Sequence, residues 1–184
     1  MIDHKNRIAA LMRLRDGGLR WFRVLGRALD RSDPYRQACW LFEPLRNSGG
    51  VDTLSVIDLT ATPVQVVSHL TIGHIPEGIA ISPDGQFAAV TVINGTNSAP
   101  TSPVFHDFGI LKVVRLANNL LTPVTELRVG RWCQGAVWSR DGRTLVVQCA
   151  VEQELQIFRF DGRTLTADGA IKVYGTPAGM RAGQ

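Results

Sequence analysis

"GIAISPDGQFAAVTV", residues 78–92, sets two short apolar runs on either side of a Ser-Pro-Asp-Gly turn. Asp can accept hydrogen bonds from the backbone just after it, and Gly takes positive φ at little steric cost, so the turn joins two antiparallel strands. The same arrangement returns as "GAVWSRDGRTLVVQC", residues 135–149. Landmarks around the two hairpins show that they belong to a longer repeat. "LSVIDL" from Leu54 recurs as "LKVVRL" from Leu111 and "LQIFRF" from Leu155, at spacings of 57 and 44. Gly73, Gly130 and Gly175 follow at 57 and 45, and Gly78, Gly135 and Gly179 at 57 and 44. Independent landmarks that share one pair of spacings define a unit of about 44 residues.

One copy carries roughly 13 extra residues, and they fall in "NGTNSAPTSPVFHDF", residues 94–108, because the pieces on either side keep their spacing. The Ser, Asn and Pro content reads as a loop. Each complete unit supplies four strands, named a to d: 77–82, 86–93, 109–116 and 123–129, then 134–139, 143–149, 154–160 and 169–174. Runs such as "FAAVTVI" and "TLVVQC" are almost continuously apolar or β-branched, which suits sheets covered on both faces. Four-stranded antiparallel units of this length, each covering the next, are blades of a β-propeller. A sandwich would explain the strands but not the shared spacings.

Residues 76–130, "PEGIAISPDGQFAAVTV" followed by "LKVVRL" and a "VG" ending, resemble the YVTN-type and lactonase-like family of bacterial seven-bladed propellers. The likeness runs over about 130 residues from Val51 onward. It implies the fold; the chemistry does not follow, because one blade serves enzymes and binding scaffolds alike.

The blade count raises a further question. Strands c and d of one blade fall at 51–73, complete blades at 74–130 and 131–175, and the opening of another at 176–184. Closed propellers have four to eight blades. The chain is therefore expected to be an all-β partial propeller of two and a half to three blades. Either several chains complete a ring, or the chain is the remnant of a longer gene product.

Residues 1–50 match no blade. They hold ten Lys/Arg against five Asp/Glu, while residues 51–184 hold ten against eleven, so the net charge of +4 belongs to the first fifty. Ile8, Leu11, Met12, Leu19, Phe22, Leu25 and Leu29 have helical spacing, which predicts a basic amphipathic segment with a solvated charged face. Such a segment could cap an open blade face, as repeat arrays require. No partner among nucleic acids or membranes is expected. No run of 18 apolar residues occurs and arginines interrupt the N-terminal apolar positions, which reads as a cytoplasmic chain as written, without a secretory leader, while full-length relatives in the family it resembles are expected to be periplasmic or exported. Cys39, Cys133 and Cys149 form no zinc spacing. Reduced thiols are expected, with a Cys133–Cys149 bond left open.

In a propeller the d–a and b–c loops emerge together on one face. That selects His74, Glu77, Arg131, Trp132 and Gln134 from the first kind, and Asn94, Asn97, His106, Asp107, Glu152 and Gln153 from the second. His106-Asp107 could share a proton or simply be a solvated loop. His74 with Glu77 could polarise a carbonyl or hold a divalent ion with oxygen ligands from elsewhere, or serve as rim hydrogen-bonders. Arg131, Trp132, Gln134 and Asn94 are the candidate ligand contacts, by charge, stacking and hydrogen bonding. No cofactor or metal is called for.

Trp138, Phe158 and Phe160 are expected in the blade core. No GxSxG, HExxH, P-loop or GxGxxG occurs. Two functions follow: a rim-binding scaffold for a small molecule or protein, or, as the family resemblance implies, a lactone hydrolase similar to 6-phosphogluconolactonases. No catalytic motif of that family matches here residue by residue.

Overall fold

The computed structural model describes residues 8–9, 52–58 and 62–181. Among them are eleven strands and no helix: β1 (Ile8–Ala9), β2 (Asp52–Asp58), β3 (Gln65–Gly73), β4 (Pro76–Ile81), β5 (Phe87–Val92), β6 (Gly109–Ala117), β7 (Leu120–Val129), β8 (Cys133–Trp138), β9 (Thr144–Cys149), β10 (Glu154–Phe160) and β11 (Leu165–Lys172). They form three antiparallel sheets, β1-β2-β3, β4-β5-β6-β7 and β8-β9-β10-β11, each a meander of sequence neighbours. The second and third are complete a-to-d blades. The chain is an all-β partial propeller.

The two hairpin turns are the same structure. Gly85 N donates to Ser82 O at 2.8 Å and Gly142 N to Ser139 O at 3.0 Å, with φ of 72° and 68° at the glycines. Ser82 Oγ and Gln86 N donate to Asp84 Oδ1 at 2.5 and 3.0 Å, and Ser139 Oγ and Arg143 N to Asp141 Oδ1 at the same two distances. Phe87 N and Thr144 N then donate to the two serine hydroxyls at 2.9 Å. The serine and aspartate side chains bond to each other and to the backbone of the turn, so each turn fixes the register of its strands.

All six residues of β5 are buried, as the continuous run predicts. One core lies between the first two sheets, where Leu54, Val56 and Ile72 meet Val90, Val92, Val114 and Leu116. The other lies between the second and third, where Phe87, Ala89, Leu111 and Val113 meet Trp138, Leu145, Val147 and Phe158. Phe160 sits edge-on to Phe87 and Trp138, at centroid distances of 5.0 and 5.5 Å, and Trp138 Nε1 donates to Ala80 O at 3.0 Å. The indole thus buries its ring between blades while its one donor is satisfied.

Four expectations change. Strand d of the last blade begins at Leu165, four residues before the expected 169, because a bulge opposite Gln156/Phe158 absorbs Asp168 and Gly169. Residues 176–181 form no strand; they lie along β8, with Met180 beside Gly135. Ile8 and Ala9 are extended instead of helical, pairing with Asp58 and Ile57 along the edge of β2. The rest of the expected amphipathic segment, and Cys39, lie outside the described residues. Finally, Cys133 and Cys149 are joined as a disulfide, their Cα atoms 4.1 Å apart. A bulge between Cys133 and Gly135 brings them opposite each other across β8 and β9.

Candidate functional site

The d–a and b–c loops of the second and third sheets share one rim, and their backbones are braced in the same way. Ile75 and Trp132 both have left-handed backbones, with φ of 57° and 52°. Ile75 O accepts from Ile93 N at 2.8 Å and His74 O from Asn94 N at 2.9 Å. In the next blade Trp132 O accepts from Ala150 N at 3.2 Å and Arg131 O from Val151 N at 3.4 Å. The left-handed residue turns the chain from one blade's outer strand into the next blade's inner strand, while the b–c loop holds the turn. Asp52 Oδ2 adds a bond from Ile75 N at 3.2 Å.

The 94–108 loop is a chain of turns. Ser98 N donates to Gly95 O, Ser102 N to Ala99 O and Phe105 N to Ser102 O, at 2.9, 2.8 and 3.0 Å. Asn94 is its clasp: left-handed at φ 58°, it donates from Nδ2 to Phe108 O at 3.1 Å. His106 Nδ1 lies 2.9 Å from Asn94 O. A carbonyl only accepts, so Nδ1 is the donor of this bond. Phe108 at the loop's end packs under the Arg128 guanidinium, 3.9 Å from the ring centroid.

Thr96 joins the two blades. Its Oγ1 donates to Ile93 O at 2.8 Å and accepts from Trp132 N at 2.8 Å. Trp132, 40% exposed, is therefore anchored beside the 94–108 loop by its backbone while its indole faces outward. His74 lies next to Gly95, and its Nε2 is buried with no hydrogen-bond partner. Burial, and secondarily repulsion from His106, holds the His74 imidazole below its ordinary pKa, so the ring is neutral near pH 7.

Arg131 is engaged differently from the sequence reading. Its backbone N and Nε donate to Glu152 Oε2 and Oε1 at 2.8 and 3.1 Å. Glu152 also covers Gly130, whose amide donates to Gln156 Oε1 at 3.2 Å, and Lys172 Nζ reaches Glu152 O at 3.1 Å. Arg131 and Glu152 are thus partners that tie strand ends together.

The arrangement brings together His74, Asn94, His106 and Trp132, with Thr96 as the member sequence reasoning missed. It does not pair His106 with Asp107, since the ring is turned to Asn94 O and Asp107 is exposed. Asn97 and Gln153 are exposed; Glu77 and Gln134 are half-buried on β4 and β8. No group of three or more His, Cys, Asp or Glu among the described residues could hold a metal ion.

A hollow of about 850 Å³ lies on the opposite, turn face, lined by Asp84, Arg140, Asp141, Arg159 and Asp161 among others. Its aspartates are occupied by their own turns. Asp161, for instance, is held down to about 2 by hydrogen bonds from Thr164 and Arg163.

No family model matches the chain, and no curated protein matches it in sequence. Solved structures do match in fold. A candidate 6-phosphogluconolactonase of Bacteroides fragilis superposes with a TM-score of 0.58 at 17% identity, over 79% of this chain and 41% of that one. The periplasmic gluconolactonase of Pseudomonas aeruginosa gives 0.53 at 16%, over 72% and 37%. The hydrazine synthase of Kuenenia stuttgartiensis gives 0.51 at 19%, over 86% and 42%. The matched part spans less than half the length of each of these proteins, and at such identity the likeness is one of fold: a β-propeller array of the lactonase-like kind.

Proposed function

We propose that the chain is a binding module whose rim takes a small polar ligand, a sugar acid or its lactone, without turnover of its own. The observation that carries this reading is the bond from Trp132 N to Thr96 Oγ1, which fixes an exposed indole beside a polar loop. A flat aromatic face next to Asn94, Thr96 and two imidazoles suits a ligand with one apolar face and several hydroxyls. The ligand class is taken from the two lactonase names among the fold neighbours. Titration calorimetry with gluconate and with glucono-lactone tests it. Saturable binding that Trp132→Ala abolishes is the expected result, and no saturable heat with either compound rejects the reading.

Lactone hydrolysis is the second reading, favoured by the neutral His74 and by the His106 ring held beside it through Nδ1 and Asn94 O. A neutral imidazole can take a proton from water as it attacks the ring carbonyl. Ring-opening turnover lost in His106→Ala would favour this reading over the first.

The Cys133–Cys149 disulfide supports a separate proposal, that the chain works in an oxidising compartment, where such a bond persists.

A further inference from the structure

The hollow on the turn face is bordered by three turns. The a–b turns of the second and third sheets stand side by side, so that a Cβ on Gly142 would lie 3.7 Å from Pro83 Cδ. The turn from β10 to β11 adds Asp161, Gly162 and Thr164, and Phe87 and Phe160 are the apolar part of the lining. Arg140, Arg143 and Arg159 face the same space. Two more arginines flank it: Arg115 lies over the Phe87 ring, 5.2 Å from its centroid, and Arg163 stands in the β10–β11 turn next to Thr164.

The hairpin does not need the charge of Arg140 or Arg143. Ser139-Arg140-Asp141-Gly142-Arg143 repeats Ser82-Pro83-Asp84-Gly85-Gln86, and the two tips make the same hydrogen bonds. Serine, aspartate and glycine build the turn, which leaves the second and fifth places open. One blade fills them with Pro83 and Gln86, the other with two arginines. The local fold therefore gives no account of these two cations.

The neighbouring aspartates do not account for them either. Asp84 and Asp141 each accept a serine hydroxyl and a backbone amide of their own turn. Asp161 accepts from Arg163 N, Thr164 N and Thr164 Oγ1, at 2.8, 2.7 and 2.7 Å. The bonds from Ser139 Oγ and Arg143 N hold the Asp141 carboxyl below its ordinary pKa. Among the described residues the ion pair at this hollow is Arg159 Nε to Asp168 Oδ2 at 2.6 Å, and Arg159 Nη1 donates to Thr144 Oγ1 at 2.9 Å. The guanidinium groups of Arg140 and Arg143 form no ion pair among the described residues.

A guanidinium presents its donors as a planar fork, which matches the paired oxygens of an oxyanion. Two such forks on one hairpin tip, with Arg159 held in place on β10 by Asp168, suit more negative charge than a single carboxylate carries. The volume, about 850 Å³, is that of a small-molecule site. We infer that this hollow binds a small multivalent oxyanion, a polycarboxylate or a phosphorylated compound, through Arg140, Arg143 and Arg159. The site lies on the face opposite the rim, so the inference stands apart from the rim ligand.

Calorimetric titration of the purified chain with citrate and with inorganic pyrophosphate tests it. Saturable binding of at least one anion is expected, weakening several-fold as sodium chloride rises from about 50 to about 300 mM, because the contacts are ionic. The tighter binder tells whether carboxylate or phosphoryl oxygens suit the site. The double variant Arg140→Pro, Arg143→Gln copies the neighbouring tip. It should keep the wild-type circular dichroism spectrum and melting midpoint while its affinity falls about tenfold or more. In the wild type, amide NMR shifts on titration should fall at residues 139–144 and 159–166. Lack of saturable binding with both anions overturns the inference. So does a folded double variant that binds as wild type does, or amide shifts confined to the rim at 94–108 and 131–134.

Discussion

Ile75 and Trp132 stand 57 positions apart and adopt the same left-handed backbone, with φ of 57° and 52°, each held by the b–c loop of its own blade. Their side chains have opposite fates: Ile75 is 1% exposed and Trp132 40%. A left-handed backbone on a bulky residue costs about 1–2 kcal/mol. At Ile75 complete core burial offsets that cost; at Trp132 partial burial and the bonds at its N and O do so, with two-fifths of the residue left exposed.

The two positions should therefore respond unequally to glycine. Trp132→Gly relieves the backbone but gives up the covered part of a residue that is 40% exposed, so its net cost should be about 0–2 kcal/mol. Ile75→Gly loses a buried side chain and should cost about 2–4 kcal/mol despite the same relief. Denaturant melts of the two variants check the contrast.

Thr96→Val keeps the shape of the side chain and removes the hydroxyl. Trp132 N, in a part-buried setting, loses its acceptor, and Ile93 O loses one donor. The expected cost is about 1–3 kcal/mol, with faster amide exchange confined to the 94–108 loop and the β7–β8 connection. Hydrogen exchange read by mass spectrometry locates the effect.

His74 sets a pH window. Its pKa in the folded chain is lowered, so the unfolded chain binds more protons and stability rises with pH through this range. The contribution is complete above the ordinary histidine value of about 6.5 and is lost as pH falls below it toward the lowered folded value. His74→Leu should flatten the stability profile between about pH 7 and 5 while wild type declines. Parallel melts across that range decide it.

The disulfide closes a segment of 16 residues. Chain-entropy arguments put such a closure at about 3 kcal/mol. The Cys133→Ala, Cys149→Ala double variant should melt lower by roughly that amount, and a reductant should lower the wild-type midpoint without affecting the variant.

The repeat and its turns were legible because both rest on short-range chemistry. The Asp84 and Asp141 turns could be read from four letters each, since side chain and backbone within five residues satisfy one another. The cysteine pair was harder. Along β8 and β9 the pairing from Gly135 to Trp138 would set Cys133 opposite Ala150, and only the bulge after Cys133 shifts it to Cys149. A one-residue bulge leaves no mark in composition.

The rim was half legible for a related reason. The face could be chosen from topology, which put His74, Asn94, His106 and Trp132 together. Thr96 was not singled out from a loop read for its Asn, His and Asp side chains, because its second bond reaches 36 residues along the chain. The insertion that seemed to interrupt the repeat is what links the two blades across the rim.

The bond-for-bond match of the 82–87 and 139–144 turns makes the two hairpins interchangeable parts. A crossover between the DNA encoding one and the DNA encoding the other would remove or add one whole blade and leave an intact turn at the seam. Blade number can then change in unit steps without passing through a broken hairpin, which is one route by which a lineage of such rings can move between sizes.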